Sequence, residues 1–324
     1  MVHAIYCKFT LNMEIYENRP GHSIKQHWLL SFTVLVLIVF GSLAILQTMA
    51  LGLLPILFGI SFDQLPYLLS ASLDHPNARL AFLFIQGLGG GLGFFIGGWI
   101  FVRFVDRKTL RLDLQLDPLK FNGLWIVLPL LFGFVLFNSL LVYLNMNIEF
   151  PEALSGLEAA FRAKEDQLME LTKYLTDFES VGEFLLGILV IGLLAGIGEE
   201  YLFRGIVQPK MHQYTGNAHW GVWITAFIFS AIHFQFYGFL PRLMLGALFG
   251  YLYLYSGSLL YPMVAHILNN TLTVTLVYFN KLGLMEFDLE DADTLYWEYV
   301  IAGLVIFLFC WNLFIKSNKN QVYE

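Results

Sequence analysis

Residues 184–207 read FLLGILVIGLLAGIGEEYLFRGIV, and this stretch decides the fold class of the chain. Every residue from Phe184 to Gly198 is apolar or glycine, and a helix that crosses a membrane needs about 20 mostly apolar residues. We therefore predict a transmembrane helix over residues 184–207. This helix carries two adjacent carboxylates, Glu199 and Glu200, towards its end.

Apolar stretches of similar length lie on both sides of this one. We predict an all-α, polytopic membrane helix bundle with about eight transmembrane helices. The other predicted spans cover residues 28–53, 80–105, 121–144, 220–237, 240–255, 259–278 and 297–314. The chain then divides into a polar cytoplasmic N-terminal segment (1–27), three N-terminal spans (28–144), an amphipathic surface segment (145–183), a core of spans (184–280), and the last span with a short tail (281–324).

Composition supports a membrane protein and excludes several other classes. Of the 324 residues, 57% are hydrophobic and only 13% are charged, whereas an ordinary soluble domain is roughly 45–50% apolar and about 25% charged. Disordered proteins, coiled coils, basic nucleic-acid binders and multidomain cytosolic enzymes do not fit these values. The formal charge of -7 argues against a polybasic surface. Cys7 and Cys310 are too few for a disulfide framework or a Cys-rich metal site.

The distribution of basic residues predicts the orientation in the membrane. Most of the 18 Lys and Arg residues face the cytoplasm if the N-terminus lies inside, and the largest group lies between Arg103 and Lys120. We therefore predict an integral, multi-pass membrane protein with its N- and C-termini in the cytoplasm.

Two further patterns concern packing. Within residues 152–178, apolar side chains recur at helical spacing opposite a mainly acidic face, which indicates a connector helix on the membrane surface or, less favoured, a lid over an active site. The glycines of residues 87–98 match no G-x-G-x-x-G frame. Their small-x-x-x-small spacing instead predicts close approach of helices.

Ionisable side chains inside apolar segments indicate function, because a charge at the bilayer centre costs at least about 2.5–3.5 kcal/mol. Glu200 and Arg204 are four residues apart, so they share a helix face and can pair. Glu199 points about 100° away and has no partner on its own helix. An unpaired carboxylate in such a site is suited to act as a general base, although both glutamates could also simply reach water at the end of the span.

Two other predicted spans carry imidazoles. His233 follows Phe229 by four residues, and His266 precedes Asn270 by four. His266 and Asn270 share a helix face and could stabilise an oxyanion, or could form ordinary hydrogen bonds between helices. Glutamate and two histidines also suit zinc, but the sequence lacks H-E-x-x-H, so spacing alone does not establish a metal.

Together these clusters resemble the CPBP family, the CAAX proteases and bacteriocin-processing intramembrane proteases that are also called the Abi family and include type II CAAX prenyl endopeptidases. The family pattern is Glu-Glu-x-x-x-Arg, then Phe-x-x-x-His, then His-x-x-x-Asn, each on its own transmembrane helix. In this chain the pattern is present in the same order over residues 184–278, as Glu199-Glu200…Arg204, Phe229…His233 and His266…Asn270.

The resemblance implies an endopeptidase that cleaves a membrane-associated protein or peptide, such as a prenylated CAAX protein or a leader peptide. By analogy, Glu199 and His233 activate water, and His266 and Asn270 stabilise the oxyanion. Glu200 and Arg204 orient the site. The family has been described both as metalloproteases and as metal-independent glutamic proteases, so zinc held by His233 and His266 and a metal-free mechanism both remain open.

Two other functions compete with the peptidase. The Glu and His cluster could form the proton or ion relay of a membrane transporter, although no inverted repeat is visible in the sequence. A scaffold that binds peptides without cleaving them is a third hypothesis. The expected partners are the lipid bilayer and a membrane-associated protein or peptide substrate, with no nucleic acid.

Overall fold

The computed structural model describes residues 28–106, 121–286 and 294–319. These residues form helices joined by turns and contain no strand, which confirms the predicted all-α class. The predicted N-terminal segment 1–27, the basic residues within 107–120, and most of the acidic run that ends at Asp293 lie outside the described residues.

The helices follow one another along the chain with short connections. Two long helices, Ala78–Val105 and Val181–Thr215, continue through wider π-helical turns. These turns lie at Gly87–Leu92 and Phe101–Val105 in the first helix and at Ile188–Leu194 and Phe203–Val207 in the second. In chain order the helices are α1 (Trp28–Leu57), α2 (Leu65–Leu69), α3 (Ala78–Val105), α4 (Phe121–Met146), α5 (Ser155–Thr176), α6 (Val181–Thr215), α7 (Ala218–Ala231), α8 (Phe239–Ser256), α9 (Leu260–Lys281) and α10 (Trp297–Lys319).

Each predicted span contains a helix, but the helices differ in whether their length and composition suit a bilayer. Among the described residues, α1, α3, α4, α6 and α10 are long and apolar enough to cross a membrane. Helix α7 is apolar but shorter. Helices α8 and α9 carry more polar side chains, including Arg242 and the pair Asn269 and Asn270, so their composition alone would not identify them as spans.

The span predicted at residues 220–237 is too long, because α7 ends at Ala231 and residues 232–238 form a turn. Phe234 adopts a φ of 54° in this turn, which is incompatible with a continuing right-handed helix. Asn145 at the end of α4 satisfies the turn's backbone: its Nδ2 donates to the Phe236 carbonyl at 3.0 Å, and its Oδ1 accepts from the Leu240 amide at 2.7 Å. His233 therefore lies just beyond a helix rather than within one.

Helix α6 contacts α3, α7 and α9, and its crossing with α3 depends on glycines. A Cβ atom added to Gly198 would overlap the carbonyl oxygen of Gly91, and one added to Gly91 would lie 2.7 Å from the Leu194 carbonyl carbon. A Cβ on Gly97 would lie 2.9 Å from the Val39 Cα of α1. These distances confirm that the glycine run serves close packing of helices.

The amphipathic segment forms α5, which lies against the turn that carries His233. The rings of Phe161 and Phe236 stack with centroids 5.0 Å apart, and the Tyr237 hydroxyl donates to Glu158 Oε1 at 3.3 Å. The Phe150 amide and Arg162 hold the pKa of Glu158 below its ordinary value. The two interpretations of α5, a fixed connector and a moving lid, stay predictions.

We predict that Gly198→Ala destabilises the protein, because the new methyl group would meet backbone atoms of α3 that cannot move independently. Overpacking of this kind costs about 1–3 kcal/mol, so the thermal unfolding midpoint in detergent should fall. The matched control is Gly90→Ala on the same stretch of α3, where the added Cβ would meet only Gln86 Oε1 at 3.8 Å. Equal midpoints for the two variants would contradict the packing argument.

Candidate active site

Helix α6 places Glu200 and Arg204 in the interior of the bundle. Both side chains have no exposed surface, and Arg204 Nη1 donates to Glu200 Oε1 at 2.7 Å. Arg204 Nη2 donates to the Gly246 carbonyl of α8 at 2.8 Å. The pairing expected from their spacing is therefore present, and it also connects α6 to α8.

Glu200 has a second partner that the sequence did not indicate. Its Oε1 atom also accepts a hydrogen bond from His266 Nδ1 at 2.8 Å. An ionised carboxylate only accepts hydrogen bonds, so Nδ1 of His266 carries the hydrogen and Nε2 is left available for the site. The Phe249 ring stacks on the His266 ring with centroids 5.0 Å apart, which fixes the plane of the imidazole.

Glu199 lies on the other side of His266. Its Oε2 atom is 3.9 Å from His266 Nε2, a separation longer than a hydrogen bond. The Glu199 side chain keeps 16% of its surface exposed, whereas Glu200 keeps none. The two adjacent glutamates thus have different surroundings, since Glu200 is enclosed by charged partners and Glu199 borders an accessible space.

His233 joins the group through Phe229. Its Nδ1 atom donates to the Phe229 carbonyl at 2.7 Å, and because a carbonyl only accepts, Nε2 of a neutral His233 is an acceptor. The Phe229 ring lies 5.2 Å from the His233 ring and 5.9 Å from the His266 ring, measured between centroids. The guanidinium of Arg204 lies 4.7 Å from the centre of the same ring.

Asn270 is held by hydrogen bonds to a backbone carbonyl and to a neighbouring amide, and not by the glutamates or histidines of the site. Its Nδ2 atom donates to the Ile191 carbonyl of α6 at 2.9 Å, and its Oδ1 atom accepts from Asn269 Nδ2 at 3.2 Å. One hydrogen of its amide is thereby used to connect α9 to α6, and the other has no partner among the residues that the structure describes. The predicted role of Asn270 at an oxyanion stays a prediction.

The described residues do not form a complete metal site. No group of three or more His, Cys, Asp or Glu side chains in this part of the chain is arranged to hold a metal ion. Zinc at His233 and His266 stays a prediction.

Arg242 also belongs to this neighbourhood, and sequence reasoning missed it as a site residue. It lies in the first turn of α8, its Nη2 atom donates to Gln235 Oε1 at 2.6 Å, and its charge interacts with that of Glu199. The signal was present in the sequence, because an arginine near the start of an apolar segment is costly unless it has a partner or a function.

Comparisons with known proteins match the part of the chain that holds this geometry. The family model described as "Type II CAAX prenyl endopeptidase Rce1-like" matches residues 181–272. The uncharacterized protein YpbD of Bacillus subtilis (strain 168) is 34% identical over 83 residues, which are 24% of this chain and 39% of YpbD. The matched segment thus spans about two fifths of that relative. No solved structure matches the chain significantly.

The family match covers a minority of the chain, but it includes every residue of the three motifs, from Glu199 to Asn270. All of these residues except Asn270 are joined by the contacts described above, although they come from separate helices and a turn. The apolar helices outside the match support an integral membrane protein. Residues 181–272 of this chain are therefore similar to the family described as type II CAAX prenyl endopeptidase Rce1-like.

Proposed function

We propose that this protein is an intramembrane endopeptidase that hydrolyses a peptide bond of a membrane-associated substrate with water activated by Glu199. The observation that carries this proposal is the convergence of Glu199, His233 and His266, with Glu199 Oε2 3.9 Å from His266 Nε2 and both imidazoles against Phe229. A carboxylate base beside two imidazoles is suited to proton transfer to and from water.

Glu199 and His233 would activate the water. Glu199 takes a proton from the water as the water oxygen bonds to the substrate's carbonyl carbon, and the carbonyl electron pair moves to oxygen. When the C–N bond breaks, the proton passes from Glu199 to the leaving nitrogen. Nε2 of His233 is an acceptor, so it can hold the water in place through the water's second hydrogen.

His266 and Asn270 would stabilise the negative oxygen that forms in this step. Nδ1 of His266 is bonded to Glu200, so Nε2 is the atom of this ring that would donate a hydrogen bond to the oxygen. Asn270 retains one amide hydrogen beyond its bond to Ile191. Arg204 and Glu200 are positioning residues in this proposal, because they hold His266 without touching the substrate.

The substrate we propose is a membrane-associated protein or peptide, either prenylated at a CAAX-type C-terminus or carrying a leader segment. The similarity to the type II CAAX prenyl endopeptidase family supports the prenylated substrate. A site within a helical membrane bundle favours substrates that are already held at the bilayer. We further propose that both termini of this chain lie in the cytoplasm, as the distribution of Lys and Arg indicates.

We predict that Glu199→Gln lowers cleavage of a lipid-anchored peptide in proteoliposomes by roughly 10²- to 10⁴-fold, because the amide cannot accept the proton from water. Cleavage is measured by mass spectrometry of the products. The control is Glu170→Gln on the exposed face of α5, which should cleave like the wild type. Wild-type cleavage by a folded Glu199→Gln protein would remove Glu199 from the role of base.

We also predict that the need for a metal can be decided by treating purified protein with a strong chelator and dialysing it, because cleavage by metal-free protein would exclude a required metal. Metal content is measured by elemental analysis on the same sample. Loss of activity that returns with added zinc would instead establish coordination, with His233 and His266 as the ligands to test next.

A further inference from the structure

Arg242 is a half-buried cation that has only part of its hydrogen bonding satisfied. Its Nη2 atom donates to Gln235 Oε1 at 2.6 Å, but its Nη1 atom is buried and has no hydrogen-bond partner among the described residues. Burying a charged group without partners is costly. An unpartnered guanidinium nitrogen therefore indicates that an anionic group from another molecule can bind here.

The guanidinium lies against the backbone of Gly238 and within the field of the Glu165 carboxylate. Gly238 contributes no side chain, and a Cβ atom added to it would lie 3.1 Å from Nη2 and 3.4 Å from Nη1. Glu165 of α5 approaches from the opposite end of Gln235, and its Oε1 atom accepts from Gln235 Nε2 at 3.0 Å. Burial raises the pKa of Glu165 above its ordinary value.

Arg242 also lies close to the groups that would perform the chemistry. Its charge acts on Glu199 and on His233, and Gln235, which holds it, is two residues from His233 in the same turn. No carboxylate among the described residues lies within ion-pair distance of Arg242. The positive charge is therefore adjacent to the candidate active site and is not neutralised by direct pairing.

We propose that Arg242 determines substrate specificity by binding a carboxylate of the peptide near the bond that is cleaved. Guanidinium groups bind carboxylates through parallel N–H···O hydrogen bonds, and Nη1 supplies donors for one. The carboxylate is either the free C-terminus of the peptide or an acidic side chain. This inference rests on the proposed peptidase function, and it adds the chemical class of the group recognised beside the cleaved bond.

The first test uses the wild-type protein in proteoliposomes with a set of matched lipid-anchored peptides. One peptide ends in a free carboxylate, one ends in an amide, and one has each acidic side chain replaced by its amide. We expect kcat/KM to fall roughly 10- to 100-fold for whichever peptide lacks the recognised carboxylate. The peptide that is affected identifies the source, and equal cleavage of all three would overturn the proposal.

The second test assigns that preference to Arg242. Arg242→Gln should abolish the discrimination between the peptides, chiefly through a higher KM for the preferred one. Arg242→Lys should retain part of the discrimination, because it keeps the charge but loses the planar fork. The control is Arg103→Gln, an exposed arginine near the end of α3. An equal fall of kcat on every peptide, with the preference intact, would mean that Arg242 acts through Glu199 and would overturn the proposal.

Binding separates this proposal from the proposed function. Fluorescent forms of the same peptides are titrated into Glu199→Gln protein, with and without Arg242→Gln. Tighter binding of the carboxylate peptide that depends on Arg242 supports carboxylate recognition even if no peptide is ever cleaved. Conversely, cleavage that depends on Glu199, without any carboxylate preference in binding, would leave the peptidase standing and remove this role of Arg242.

Discussion

The candidate site depends on one buried carboxylate, because Glu200 Oε1 is shared by Arg204 of its own helix and by His266 of α9. Removing one partner of a buried ion pair leaves a charge uncompensated and typically costs several kcal/mol. The shared oxygen therefore requires α6 and α9 to keep a fixed distance. Arg204 extends the constraint to α8 through the Gly246 carbonyl. The helices that carry the site are thus aligned by polar contacts, which are more directional than apolar packing in lipid.

This constraint explains why the glycines matter to the chemistry. Glu199 follows Gly198 directly, and Gly198 meets the backbone of α3 at Gly91. Since α3 approaches α6 so closely on one face, the carboxylates that follow Gly198 are directed towards α9 on the other. Elsewhere at this crossing the glycines of α3 make room for large side chains of α6, with Leu194 against Gly91 and Tyr201 against Gly98, whereas Glu200 and Arg204 face the interior. A bulky residue at Gly198 would disturb the site through the helix crossing.

The fold class could be predicted from the sequence, because long apolar stretches have few alternatives in a membrane. The pairing of Glu200 with Arg204 followed from helical spacing. The end of α7 could not be predicted, since the turn after Ala231 is stabilised by Asn145, which is distant in the chain. The hydrogen bond between Glu200 and His266 and the position of Arg242 beside the site could not be predicted either, because they depend on how the helices meet. The spacing of residues in the sequence predicts contacts within one helix. Contacts between residues on different helices depend on how the helices pack.

Two adjacent glutamates show how packing assigns different chemistry to the same residue type. Glu200 is fully enclosed and is bound to the guanidinium of Arg204 and the imidazole of His266, so its carboxylate serves to hold the helices together. Glu199 retains an exposed fraction of 16% and stands 3.9 Å from His266, so a water molecule can reach it without breaking a buried pair. A general base must exchange protons during each reaction, and exchange at Glu200 would weaken the contacts that align three helices. The chemistry we propose therefore belongs to Glu199, because only that carboxylate can change its charge while the bundle keeps its shape.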